Sequence, residues 1–180
     1  MRAYRISFEF AAFIMLFLLI ACSSTKFSTV WKDETYHERP KKILVINAFP
    51  NPSNRRLFED ELVKALKERR IDAIESYTVM PDPIVSDMNT IAIQAKGVGA
   101  DTVLINTPIG TTKGETSGAG GMTYTDLYIN TQTSVYEMET NKLIMNASAE
   151  TWVSQGDPYA KQIHSYVKEL VNKMSKLGLF

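Results

Sequence analysis

Cysteine is all but missing from this chain, which holds one, Cys22, in 180 residues. One thiol cannot close an intramolecular disulfide, so the fold has to rest on its core whatever the redox state around it. Histidine is nearly as scarce. His37 stands between Tyr36 and Glu38 with no ligating neighbour at useful spacing, and His164 precedes Lys168 by one helical turn on a polar side. Both read as solvated side chains, no His, Cys or carboxylate cluster has metal-site spacing, and no cofactor is called for. An excess of positive charge is also lacking: Lys+Arg and Asp+Glu number 20 each, which leaves no basic field to hold nucleic acid. A Walker A loop needs a closing Lys and a following helix, and Gly114 to Gly121 has neither the Lys nor a helical pattern after it. The same segment places Ser117 one position late for the G-x-S-x-G turn of a hydrolase.

What the chain does have is one apolar run at its amino-terminal end. Arg2 and Arg5 precede Phe10 to Ala21, an apolar segment of about a dozen residues, within the range of a secretory signal. A membrane-spanning helix needs about 20 apolar residues, so the segment is too short for a permanent span. Glu9, at its mouth, weakens insertion. The run ends on Leu19, Ile20, Ala21 and Cys22, followed by Ser23 and Ser24. That tetrapeptide resembles the lipobox of bacterial lipoproteins. The resemblance implies a diacylglyceryl group on the Cys22 thiol, cleavage between Ala21 and Cys22, and acylation of the new amino terminus. Because Ser23 and Ser24 stand where an Asp retains such proteins in the inner membrane, it also implies a bacterial envelope protein on the outer membrane, facing the periplasm.

Residues 1–21 are then the signal, 22–40 the lipidated Cys with a tether, and 41–180 a single α/β domain. The roughly 159 residues left after cleavage suit one ordinary domain. Within the tether, Phe27, Val30, Trp31 and Tyr36 are apolar enough to lie along the domain or add a short strand, with Trp31 as a packing residue.

Ile43 to Ile46 is a continuous apolar run, the mark of a strand buried on both faces. A helix follows over 53–70, capped by Asn51 or Ser53 with Pro52 in its first turn. Phe58, Leu62, Ala65 and Leu66 face the core; Glu59, Asp60, Lys64, Lys67 and Glu68 form the wet side. Ile71 to Val79 reads as a second strand nearer an edge, ended by Met80 to Pro83. A weaker helix spans about 88–96, and Thr102 to Ile105 is again continuously apolar. This order implies right-handed crossovers and a parallel core with the first strand in the middle. Gly110 to Gly121 reads as a mobile loop. Tyr124 to Met138 and Lys142 to Val153 alternate apolar with polar residues, as an antiparallel hairpin does when one face meets water, with Asn141 taking a left-handed turn position. Asn130, Gln132, Asn146, Ser148 and Glu150 make its polar face. Gly156 to Pro158 caps a last helix whose stripe runs from Tyr159 to Leu177 and stops at Gly178. The expected fold is a mixed sheet of about five strands, β-α-β-α-β and then a hairpin, with a carboxyl-terminal helix packed on it.

Four stretches taken in order, Ile43 to Ile46, Asn54 to Asp60, Ala100 to Leu104 and Tyr136 to Leu143, look like small exported bacterial lipoproteins. The architecture is similar to α/β domains of envelope lipoproteins that are accessory parts of secretion and transport assemblies. The resemblance implies a non-enzymatic accessory or binding module, anchored to the membrane by lipid and engaged with a protein partner in the envelope. A second reading is a small-ligand or anion-binding protein; a hydrolytic enzyme is the third. The binding candidates are Asn51, Ser53, Asn54, Arg55 and Arg56, at the start of a helix beyond the carboxyl end of the central strand, where exposed amides favour anions. The local alternative is that Arg55 pairs with Glu59 and Arg56 with Asp60, each worth about 0.3–0.5 kcal/mol on an exposed helix face.

Overall fold

The computed structural model describes residues 24–80, 87–117, 120–153 and 159–180. Ala21 and Cys22, Pro81 to Pro83, and the Gly156 to Pro158 cap lie outside the described residues. The elements are β1 (Thr25–Lys32), β2 (Lys42–Asn47), α1 (Pro52–Glu68), β3 (Asp72–Glu75), α2 (Met88–Gly97), β4 (Thr102–Ser117), β5 (Thr123–Glu137), β6 (Lys142–Val153) and α3 (Tyr159–Lys176). They make a single α/β domain around one mixed sheet in the order β1-β6-β5-β4-β2-β3. β2 is parallel to both β3 and β4 and lies between them, as expected from its unbroken apolar run. β4, β5, β6 and β1 follow antiparallel.

The two faces are covered unequally. Ile43, Val45, Leu104, Val135 and Met145 point to one side, where α1 and α3 lay down Phe58, Leu62, Leu66, Val167, Leu170 and Met174. Leu44, Ile46 and Val103 point to the other, where α2 contributes Ile91 and Ala95. The parallel strands are thus sandwiched, and the antiparallel strands carry helices on one side only. Each large side chain buried this way contributes about 1.5–3 kcal/mol. Among the described residues no helix is long and apolar enough to cross a membrane.

The α-helices α1, α2 and α3 end alike. In α1 the Ile71 amide reaches back to the Leu66 carbonyl at 3.1 Å, in α2 Ala100 to Ala95 at 2.8 Å, and in α3 Leu179 to Met174 at 3.0 Å. Each such closure needs a left-handed residue in between; Gly99 and Gly178 supply it at φ 71° and 64°, and Arg70 does so at φ 64° without the freedom of glycine. Asn141 takes the expected left-handed position, φ 56°, in the β5–β6 turn.

Several expectations are corrected. The sheet has six strands, because Thr25–Lys32 of the expected tether pairs with β6 as β1. Trp31, on that edge strand, stays 47% exposed and is not a packing residue. The second parallel strand stops at Glu75, and Ser76–Thr78 turns as a 3-10 helix. Gly110 to Ser117 of the expected loop is strand: β4 continues to Ser117, held in register by β5. Glu59, read as a wet residue, is fully buried.

Candidate functional site

Three polar residues stand at the same level where β2 ends, because Asn47 of β2 is in register with Asn106 of β4 and Asn106 with Thr133 of β5. The row is buried and hydrogen-bonded along its length. Asn106 Nδ2 donates to Asn47 Oδ1 at 2.9 Å, Thr133 Oγ1 to Asn106 Oδ1 at 3.0 Å, and the Tyr166 hydroxyl of α3 to Asn106 Oδ1 at 3.1 Å. Thr133 Oγ1 and the Tyr166 hydroxyl lie 2.6 Å apart. Burial pushes the Tyr166 phenol pKa up, so it stays a neutral donor.

Above this row opens a recess of about 40 Å³, enough for two or three waters. Its lining includes Phe49, Asn54, Phe58, Ile129, Thr151, Tyr159 and Ile163. Among the described residues none that lines it carries a charge. Two lining side chains, each about 95% buried, present unsatisfied oxygens: Gln162 Oε1 of α3 and Thr131 Oγ1 of β5, the latter beside the Tyr166 phenol but without a hydrogen bond of proper geometry. A buried acceptor left unmade costs about 1–3 kcal/mol, which a water or ligand donor in the recess would recover.

The helix start named from the sequence lies beside the recess, and its residues have separate tasks. Asn51 is the N-cap; its Oδ1 accepts from the Ser53 amide at 2.9 Å and the Asn54 amide at 3.0 Å, while its carbonyl takes the Arg55 amide. The donors that would have met an anion are therefore already engaged. Only Asn54 of the five candidates lines the recess. Arg56 is exposed, with its guanidinium 5.3 Å from the Tyr77 ring centroid. No Arg56–Asp60 pair forms among the described residues; Asp60 instead accepts from the Tyr77 hydroxyl, a bond that pushes the phenol pKa up to about 12.

Arg55 departs furthest from expectation. It pairs with Glu59, Nε to Oε1 at 3.0 Å, in the interior and not on an exposed face. Its Nη2 donates to Ser76 Oγ at 2.8 Å and to the Met80 carbonyl at 2.9 Å. Glu59 in turn accepts from the Asn47 amide, Ser76 Oγ and the Tyr77 amide. The pair thus locks the end of β2 to α1 and to the turn after β3, with both charges satisfied as a buried pair requires. His37 is exposed, and His164, also exposed, lies 3.2 Å from Glu61 Oε2. No group of three or more potential metal ligands occurs among the described residues.

Thr131, Gln162 and Tyr166 were not found from the sequence. The available signal was the pair Asn47 and Asn106, each closing an apolar strand with an amide that needs partners.

No family model matches the sequence, and no curated protein does. Solved structures do resemble it. A subunit of the PelC dodecamer from Paraburkholderia phytofirmans superposes with a TM-score of 0.53 at 12% identity, over 81% of this chain and 96% of that one. Lipoprotein GNA1162 from Neisseria meningitidis gives a TM-score of 0.49 at 14% identity, over 76% and 99% of the two chains. At these identities the likeness to PelC is one of fold.

Proposed function

We propose that the chain is a lipid-anchored protein of the bacterial cell envelope that works as a non-enzymatic accessory or binding module. The observation that carries the binding role is the recess where β2 ends beside β4: none of its lining residues among those described carries a charge, while the nearby buried charges, Arg55 and Glu59, are engaged with each other. Such a site suits holding a group better than transforming one. The anchor rests on Leu19 to Cys22, and β1 begins at Thr25, soon after the acylation point. Cys22→Ala should abolish palmitate labelling and leave precursor uncleaved, and fractionation of a two-membrane host should place the wild type in the outer membrane. Labelled lipid retained by Cys22→Ala would defeat the anchor. An envelope protein that stays with the wild type through gentle solubilisation is the expected sign of the accessory role.

A second reading, a small-ligand protein, is favoured by the unpaired Gln162 Oε1 and Thr131 Oγ1. The ligand such a recess fits is uncharged, with an apolar body and a hydrogen-bond donor, in place of the anion expected at Asn51 to Arg56. Native mass spectrometry of the purified protein should show the bound mass, and Gln162→Leu should remove it. An unchanged mass in Gln162→Leu would exclude this site.

A further inference from the structure

β4 loses one neighbour halfway along its length. β2 leaves it at the Asn47–Asn106 pair, while β5 accompanies it to Ser117. From Thr107 onward the backbone groups directed away from β5 meet no strand among the described residues, and an edge of that kind pairs with another chain unless something prevents it. The base of the edge is guarded. Pro108 has no amide to donate, and the register shifts between Pro108 and Gly110, where Gly110 sits at φ 146°, in the way a bulge interrupts pairing. Beyond the bulge, Thr111 to Ser117 run in unbroken register against Ile129 to Thr123. All of them are exposed except Gly114, against which the Tyr128 ring packs.

Two charges stand on this free stretch, Lys113 and Glu115, on the same face of the strand. On β5 they face Leu127 and Thr125, and no ion pair engages either among the described residues. A lysine on an edge strand ordinarily keeps other edges away. Here one register removes the repulsion. If a second copy pairs antiparallel about a two-fold axis through Gly114, Lys113 of each copy faces Glu115 of the other, Thr112 faces Thr116, and Thr111 faces Ser117. Moving the centre to residue 113 or 115 places like charges opposite each other, and moving it by half a step separates them. The order Lys, Gly, Glu therefore specifies a self-complementary register, as an isologous interface needs. We propose that this chain forms a two-fold dimer by antiparallel pairing of residues 111–117 of β4 about Gly114.

The test uses the full chain in detergent, followed by native mass spectrometry across low micromolar concentrations. The wild type should be dimeric. Lys113→Glu and Glu115→Lys each turn two attractive cross-strand pairs into repulsive ones, so each should weaken the dimer about tenfold or more. The double variant K113E/E115K restores opposite charges and should dimerise like the wild type. Mixing the two single variants gives the sharpest outcome: each alone is weakened, yet together they should form a heterodimer, because every Glu then meets a Lys. A wild type that is monomeric throughout, single variants that dimerise normally, or a mixture no tighter than its parts would each overturn the proposal. A monomeric wild type that carries a different envelope protein on this edge would overturn it as well.

Discussion

β4 is one strand with two environments. Thr102 to Asn106 runs between β2 and β5, and four of its five residues are buried. Thr107 to Ser117 has lost β2 and the helices, and most of its side chains are exposed. The composition follows the environment, from Val103-Leu104-Ile105 to a run of threonines, glycines and charges. In the first half polar groups are expensive and must be paired, as Asn106 is; in the second they are wet, and their hydroxyls bond or not with little consequence. Backbone pairing with β5 alone sustains the second half. A strand can therefore outrun its core when a partner strand does the same.

The contrast can be broken most severely at Glu59. Glu59→Gln breaks the buried Arg55–Glu59 pair and should cost about 3–5 kcal/mol in denaturant unfolding, whereas Arg56→Ala, at an exposed cation, should change stability by about 1 kcal/mol or less. Equal, small losses would mean that the pair is solvated. Tyr166→Phe, which strips the donor from Asn106 and Thr133 without opening a large cavity, should cost about 1–3 kcal/mol, and Thr111→Ala in the exposed half of β4 about 0.5 kcal/mol or less. If the two losses matched, the distinction between the halves would fail. The smallest effect belongs to Asp33 at the exposed end of β1, where bonds from Lys142 and then Thr35 hold its carboxyl at about pKa 2. A carboxyl depressed on folding stabilises above its unfolded pKa, near 4, and loses that contribution as pH falls through its folded value. The melting-temperature gap between the wild type and Asp33→Asn should therefore be present at pH 6 and close between about pH 4 and 2; a gap independent of pH would show that the carboxylate charge is irrelevant.

Where burial dictates residue type, the sequence was readable. Ile43 to Ile46 and Thr102 to Ile105 announced the paired parallel strands, β6 falls on Lys142–Val153 as its alternation implied, and α3 on its apolar stripe. Where burial does not dictate it, the reading failed. The arm of β4 has no apolar alternation because neither face is covered, so it looked like a loop; β1 was legible only as the option of a short strand in the tether, because the register shift between Phe27 and Thr29 interrupts its period. Glu59 misled for another reason. Its burial depends on donors from Asn47, Ser76 and Tyr77, supplied by three other parts of the chain, and no local pattern encodes that meeting. The recess shares this property, being assembled from β5 and α3 at positions where polar side chains face inward.

The start of β1 bears on how far the domain can stray. The Trp152 amide already holds the Ser24 carbonyl at 2.9 Å, so only Ser23 separates Cys22, the proposed lipidation point, from a residue bonded to the sheet. Fully extended, that leash reaches about 7 Å. The start of β1 lies at the end of the sheet where Thr151 lines the recess and β4 projects past β2. On the proposed anchor, a domain with so short a leash could not sweep through the periplasm in search of a partner. Whatever binds its recess or its arm would have to come to the bilayer surface to do so.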